Sequence, residues 1–283
     1  MFILVSKSGN TLETLSNINL LSNFINKSKN TIIISENQNS ALSIFAKKNN
    51  IKFVEHKKYI GGRFSVLTEV GMLPAYLMGL KINLFRKNLF KFFQSEKNFI
   101  SNSVSILSQI YLSKKIKSIV LINYNSEFLD FNFWCQQLIS ESLGKKGKGL
   151  FPVVSQAPKD HHSLLQLYLD GPKDKIFYVF SGENTKSSKI KKNIFGSPFD
   201  FLKNKTLNKI INSQKNAFIS VLQKKKIPFR EFIVKDFSEK TLGKMFAYFM
   251  VETIMLGKAI KINPFDQPGV EQVKIITKKN LNK

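Results

Sequence analysis

Short, continuously apolar runs alternate along the chain with longer segments whose apolar residues recur every three or four positions. The runs FILVS (2–6), TIIIS (31–35), KFVEH (52–56), SIVLINY (118–124), LFPVVS (150–155), KIFYVF (175–180) and FREFIV (229–234) read as strands. Helical periodicity covers 11–27, 39–49, 66–80, 85–95, 97–114, 127–143, 161–170, 198–225 and 238–259. Strands that are apolar on both faces and separated by helices predict an α/β fold, with parallel sheet covered on each side. The basic helical stretch KINLFRKNLFKFFQSE (81–96) falls between the third and fourth strands and is the expected join between two α/β units.

The length, 283 residues, suffices for one large or two ordinary domains. Apolar content of 43% suits a packed core rather than a disordered chain. Cys135 is the one cysteine, so no internal disulfide can form and a reducing compartment is expected. The start, MFILVSKSG, has no positive segment ahead of its apolar residues and no cleavage-site pattern. The most apolar helical stretches are short or carry Glu252, so no membrane span is expected. These features read as a soluble, cytoplasmic protein without a membrane partner.

A net charge of +25 raises nucleic-acid binding as a reading. The charge is nearly all lysine, with arginine only at 63, 86 and 230, and it is scattered rather than gathered on one aromatic-laced face. Phosphate recognition favours arginine forks. Nucleic acid is therefore not the expected partner; attraction of small anions is the more modest consequence.

Five stretches carry candidate chemistry. In VSKSGNTLET (5–14) a strand ends in hydroxyls just before a helix, a natural phosphate cradle, although Thr11 could equally cap that helix. In YIGGRFSVLTEVGMLP (59–74) two glycines present Arg63 after a strand, where open α/β sheets bind ligands. In LISESLGKKGKGLFPVV (138–154) Glu141 shares a helical face with Trp134 and Leu138, which favours a neutral carboxyl, while Lys145, Lys146 and Lys148 oppose it. In KDHHSLLQLYLDGP (159–172) His161 and His162 point to different helical faces, so a shared metal is not expected, but one could act as an acid or base. INPFDQPGVEQVK (262–274) reads as a constrained turn followed by a helix bearing Glu271 and Lys274. No nucleotide loop, Cys/His metal cluster or nucleophile elbow is present. Phosphate cradle, arginine, carboxylate, histidine and lysine together suit proton transfer on a phosphorylated sugar.

VSKSGNTLET, GGRFSVLTEVG, QQLISESLGKKGKG, HSLLQLYLDGP and NPFDQPGVEQ occur in this order, and together they resemble the glucose-6-phosphate isomerase (phosphoglucose isomerase) family, bacterial type. The resemblance implies two doubly wound parallel-sheet domains of the sugar-isomerase (SIS) type. These are expected as the C-terminal part of the first domain at 1–85, the second domain at 86–260, and a C-terminal segment at 261–283. It implies reversible isomerisation of glucose 6-phosphate and fructose 6-phosphate through a cis-enediol(ate), in glycolysis and gluconeogenesis, with no cofactor. It also implies the residues. Ser6, Lys7, Ser8 and Thr11 match the phosphate loop, and Glu141 matches the base moving a proton between C2 and C1. Arg63 matches the group that stabilises the enediolate, and Gln267 a substrate contact. His162 and Lys274 match the pair that opens the sugar ring, with His162 expected from the second subunit of a homodimer.

The chain departs from the family pattern in three places. The family has an N-terminal portion with a glycine-rich loop that touches substrate, and nothing here matches it. The first domain is thus expected to be incomplete at its N-terminus, through a fragmentary sequence or a separately encoded partner. His161 stands where the family has glutamine, and Val273 where it has glycine. The alternative reading is a sugar-phosphate-binding protein, or an inactive fragment of the isomerase, without turnover.

Overall fold

The structure, a computed structural model, describes residues 1–25, 27–182 and 187–282. In chain order the elements are β1 (Phe2–Val5), α1 (Leu12–Leu20), α2 (Lys27–Asn30), β2 (Thr31–Glu36), α3 (Ala41–Lys48), β3 (Lys52–His56), α4 (Glu69–Leu77), α5 (Ile82–Phe85), α6 (Leu89–Ser95) and α7 (Lys97–Ser113). They continue with β4 (Ser118–Asn123), α8 (Leu129–Leu143), β5 (Phe151–Gln156), α9 (Leu165–Asp170), β6 (Lys175–Gly182), α10 (Leu207–Lys224), β7 (Phe229–Val234), α11 (Glu239–Ala259) and α12 (Glu271–Leu281). Each apolar run named above contains a strand. The chain divides into two compact units, Met1–Phe90 with Leu242–Ala247, and Lys91–Thr241 with Tyr248–Lys283.

The first unit holds a parallel three-stranded sheet in the order β1-β2-β3. The run of isoleucines in β2 places Ile33 and Ile34 on opposite faces, and both are fully buried, as a central strand requires. Ile33 packs with Leu4, Leu42, Ala46 and Ile51 to make this unit's core.

The second unit holds a parallel four-stranded sheet in the order β5-β4-β6-β7. After β5 the chain returns to the other side of β4, so the sheet is doubly wound about that strand. Ile119–Ile122 and Ile176–Phe180 lie at 2% exposure or less, so β4 and β6 are buried on both faces. Val120, Ile122, Phe177 and Val179 meet Tyr168, Phe218 and Leu222 on one face. On the other, Phe180 stacks on Phe232 at 4.8 Å and packs against Phe128, Phe131 and Phe249.

Glu252, the charge inside the apolar pattern of α11, is 4% exposed yet fully partnered. Its carboxylate accepts both arms of the Arg230 fork at 2.8 and 3.0 Å, the Tyr248 hydroxyl at 2.7 Å and the Ser103 hydroxyl at 2.6 Å. The guanidinium in turn lies over the rings of Tyr178 and Phe232, at 4.7 and 5.0 Å. Among the described residues no helix is long and apolar enough to cross a membrane.

Several helices are shorter than periodicity suggested, each for a local reason. The expected helix 198–225 is a short 3-10 turn, Ser197–Leu202, a break at Asn204 with φ +62°, and then α10. Thr206 starts α10 by accepting from the Lys209 N–H at 3.2 Å. The expected helix 66–80 begins at Glu69 because the Thr68 hydroxyl caps it. The expected helix 161–170 begins at Leu165, after a tight turn at Lys159–His161. That expected at 11–27 ends at Leu20.

Candidate functional site

The loop between β1 and α1 carries four of the candidate residues at the carboxyl end of the first unit's sheet. Ser6 is buried and its hydroxyl is bonded to that of Thr11 at 2.7 Å, while it also accepts the Gly9 N–H at 3.1 Å. Thr11 is the N-cap residue of α1, but its hydroxyl makes no cap bond. The N-cap side chain therefore does not consume the first-turn N–H groups, and the positive end of the helix stays available to an anion. Of the two readings open for Thr11, capping is not the one observed.

The loop is held from behind. Asn10 Oδ1 accepts the Ala41 N–H at 2.9 Å, and the Gln38 amide donates to the Ser8 carbonyl at 3.0 Å. Gly9 has φ +69°, and a Cβ there would lie 2.1 Å from Ser40 Oγ, so only glycine fits. Lys7 reaches Glu36 at 3.6 Å with its side chain partly exposed, and Ser8 and Thr11 are exposed.

Arg63 sits seven residues beyond β3, also past the carboxyl end of that sheet, on the 3-10 turn Gly62–Phe64. It is 2% exposed, so it is not a solvated surface arginine, and its guanidinium lies 5.3 Å from the Phe64 ring centre. The Ser65 hydroxyl donates to the Gly62 carbonyl at 2.7 Å. A Cβ at Gly62 would meet no protein atom within 4 Å, and its φ is ordinary. The turn itself does not demand glycine there; the open space beside it suits the close approach of another molecule.

In the second unit Glu141 stands on the last turn of α8. Leu138 beneath it is fully buried, Trp134 and Glu141 are half-buried, and Gln137 donates to Glu141 Oε1 at 3.0 Å. Of the lysines that follow, Lys146 and Lys148 are exposed but Lys145 is largely covered. Lys145 has only 9% of its side chain exposed, and its ammonium donates to the carbonyls of Asn263 and Asp266 and to Asp266 Oδ1. Lys148 donates to the Ile260 carbonyl at 2.9 Å. These bonds fasten the loop bearing Gln267 to the end of α8 that bears Glu141. Gln267 is exposed, and Lys274 is exposed one turn into α12.

The histidines lie elsewhere in the same unit. β5 runs parallel to β4, and His161 and His162 follow its carboxyl end, whereas Glu141 comes just before its amino end. Six strand residues, roughly 20 Å, separate the two ends. One copy of this unit does not bring Glu141 and His162 together. His161 is braced: the Tyr124 hydroxyl and His161 Nε2 are hydrogen-bonded at 2.7 Å, and the rings meet edge to face. Burial, and then the neighbouring His162, push the His161 pKa down although Asp160 opposes this, which favours the neutral ring. His162 is exposed. Among the described residues no group of three or more His, Cys, Asp or Glu side chains could hold a metal.

The family pattern of phosphoglucose isomerase matches residues 1–283, the whole chain. The chain belongs to the phosphoglucose isomerase family. A glucose-6-phosphate isomerase of Methanocaldococcus jannaschii is 32% identical over 96% of this chain and 69% of its own length. One from Campylobacter jejuni is 30% identical over 100% of this chain and 72% of its own. The chain spans 64% to 72% of the length of such curated relatives, about two thirds. Among solved structures, a hypothetical protein of Thermus thermophilus superposes with a TM-score of 0.89 at 26% identity, covering 99% of this chain and 71% of that one. A glucose-6-phosphate isomerase of Chlamydia trachomatis shares the fold, with a TM-score of 0.79 at 19% identity over 99% of this chain and 59% of that one. This member of the phosphoglucose isomerase family has the α/β fold with parallel sheets expected of it.

The sequence pattern had singled out Glu141, Arg63 and the β1–α1 loop. It had not singled out Lys145 as a tether, nor Tyr124 as the brace of His161. A lysine cluster gives no hint of which carbonyls it will find.

Proposed function

We propose that this protein interconverts glucose 6-phosphate and fructose 6-phosphate. The observation that carries the reading is the whole-length family match, together with a half-buried carboxylate whose neighbouring loop is fastened at three acceptors. In this reading Ser6, Lys7, Ser8 and Thr11 hold the phosphate, using hydroxyls and the uncapped end of α1. Glu141 takes the proton from C2 and returns it to C1, a transfer worth about 10²–10⁴-fold when the base is well placed. Arg63 offers a fixed cation to the enediolate oxygen, which is stabilising only as that charge develops. Gln267 contacts the sugar, and His162 and Lys274 serve ring opening. The domain boundaries at 85/86 and 260/261 belong to the same proposal.

The distance between Glu141 and His162 along one unit supports a further part of it. His162 acts in the site of a second copy, so the working form is a homodimer with shared sites. The chain reads as a cytoplasmic enzyme of sugar-phosphate metabolism.

The test is conversion of fructose 6-phosphate in deuterated water, followed by proton NMR. The expected result is solvent deuterium at C2 of glucose 6-phosphate with the unaltered chain, and none with Glu141→Gln, while both bind the sugar phosphate. Equal exchange in the two removes Glu141 from its role. Binding without exchange in the unaltered chain would replace isomerisation by the binding-only reading.

A further inference from the structure

His56 closes β3 and is 2% exposed. Its Nδ1 is bonded to Oε1 of Glu69, the first residue of α4, and its Nε2 lies 3.1 Å from the carbonyl oxygen of Ile60. The carbonyl can only accept, so Nε2 carries a hydrogen and donates, while Nδ1 bonds the Glu69 carboxyl. One buried ring thereby gathers the start, the middle and the end of the segment 57–68. Arg63 stands in that segment, three residues past Ile60.

Short-range bonds shape the rest of the segment, and Arg86 donates to its Leu67 carbonyl. Ser65 donates to the Gly62 carbonyl at 2.7 Å, and Thr68 donates to the Ser65 carbonyl at 2.6 Å. A Cβ at Gly71 would lie 2.0 Å from the Val66 carbonyl oxygen, so α4 presses directly on the segment's second half. These bonds set the shape of the turn. One attachment of the segment to the sheet runs through His56, at the carboxyl end of β3, and through Glu69.

We propose that the His56–Glu69 pair is a positioning device for Arg63, holding the guanidinium at the height over the sheet at which it meets an anion. The pair touches no substrate and acts only through the segment 57–68. The proposal rests on the reading of Arg63 as an anion-stabilising group. It adds that the registration of that group is set by a buried histidine–carboxyl hydrogen bond rather than by the glycines beside it.

The chain has only three arginines, so its guanidinium Nε–H groups give three signals in a ¹⁵N-correlated NMR spectrum. Arg63→Lys identifies which signal belongs to Arg63. In His56→Ala that signal is expected to shift and its exchange with water to speed up, while that of Arg230, in the other unit, stays in place. Glu69→Gln, which keeps an acceptor for Nδ1–H, gives a smaller change, and serves alone if His56→Ala does not fold. An Arg63 signal unmoved in either folded variant overturns the proposal.

Calorimetric titration with a sugar-phosphate hydroxamate, whose anion resembles an enediolate, supplies the second readout. His56→Ala is expected to weaken this ligand by about ten- to a hundredfold, as for a charge displaced by about 1 Å. Fructose 6-phosphate itself is weakened much less. The double variant with Arg63→Ala loses no more than Arg63→Ala alone. Additive losses would show that His56 does not act through Arg63 and would overturn the proposal. If Arg63→Ala alone leaves hydroxamate affinity unchanged, the reading of Arg63 falls and the proposed purpose of the device falls with it, while the NMR result still decides whether His56 positions that side chain.

Discussion

Replacing Lys145 with methionine removes an ammonium and keeps the apolar stem. The ammonium donates to two backbone carbonyls and one carboxylate oxygen, with 9% of the lysine side chain exposed. A hydrogen bond to a charged group contributes roughly 1.5–3 kcal/mol. The Asp266 side chain is 52% exposed, so its ion pair adds at most about 1 kcal/mol. Ordering a lysine side chain costs about 2 kcal/mol. The two carbonyl bonds then leave a net contribution of about 1–4 kcal/mol to docking of the segment from 260 onward. At about 1.4 kcal/mol per factor of ten, the segment should open about 5- to 1,000-fold more often in the variant. Hydrogen exchange followed by mass spectrometry reads this directly. Peptides covering 260–282 should exchange faster by that factor, while peptides from β4 and β6 keep their protection. Exchange in 260–282 accelerated by less than about threefold would refute the reasoning, because the lysine bonds would then contribute nothing beyond the loop's own structure.

Gly9→Ala places a Cβ 2.1 Å from Ser40 Oγ at a φ of +69°, so inorganic phosphate and fructose 6-phosphate binding should both fall, as titration calorimetry would detect. Arg230→Met leaves the buried Glu252 carboxylate without its partner and should destabilise the fold by about 3–5 kcal/mol in urea unfolding; adding Glu252→Leu should recover part of that loss. The turn after β5 should weaken on acidification in two steps. Burial, and then His162, lower the His161 pKa below its unfolded value, so its stabilising effect is complete above about pH 6.5 and is lost as pH falls from there. Burial works to raise the Asp160 pKa, but the Gln156 N–H and the Ser155 and Ser163 hydroxyls outweigh it and hold the carboxyl low, so its stabilising effect is lost only below about pH 4. Melting temperatures of His161→Gln should therefore lack the first step and keep the second.

The sheets were legible because their strands are apolar on both faces, and no other arrangement buries runs such as SIVLINY and KIFYVF. Helix ends were less so. The break at Asn204 depends on one left-handed residue, and Thr206 then restarts the helix; periodicity averages over both. At the site, the hydroxyl-rich loop and Arg63 could be named from residue type and spacing. The partner of each hydroxyl could not: Thr11 was equally suited to capping, but its hydroxyl bonds Ser6 and makes no cap bond. His56 gave no signal because its partners, Ile60 and Glu69, are ordinary residues brought to it by the return of the chain. The burial of Lys145 was equally hidden, since its acceptors lie 118 and 121 positions away.

If His162 serves the site of a second copy, as proposed, the placement of Glu141 and His162 before and after β5 has a genetic consequence. Two defective forms of the chain, one altered at each of these positions, would each be inert as a pure population. Mixed pairs would contain one site with both groups intact and one with neither. Random exchange of subunits between the two inert forms would then restore about a quarter of the full rate, half the pairs being mixed and each having one competent site.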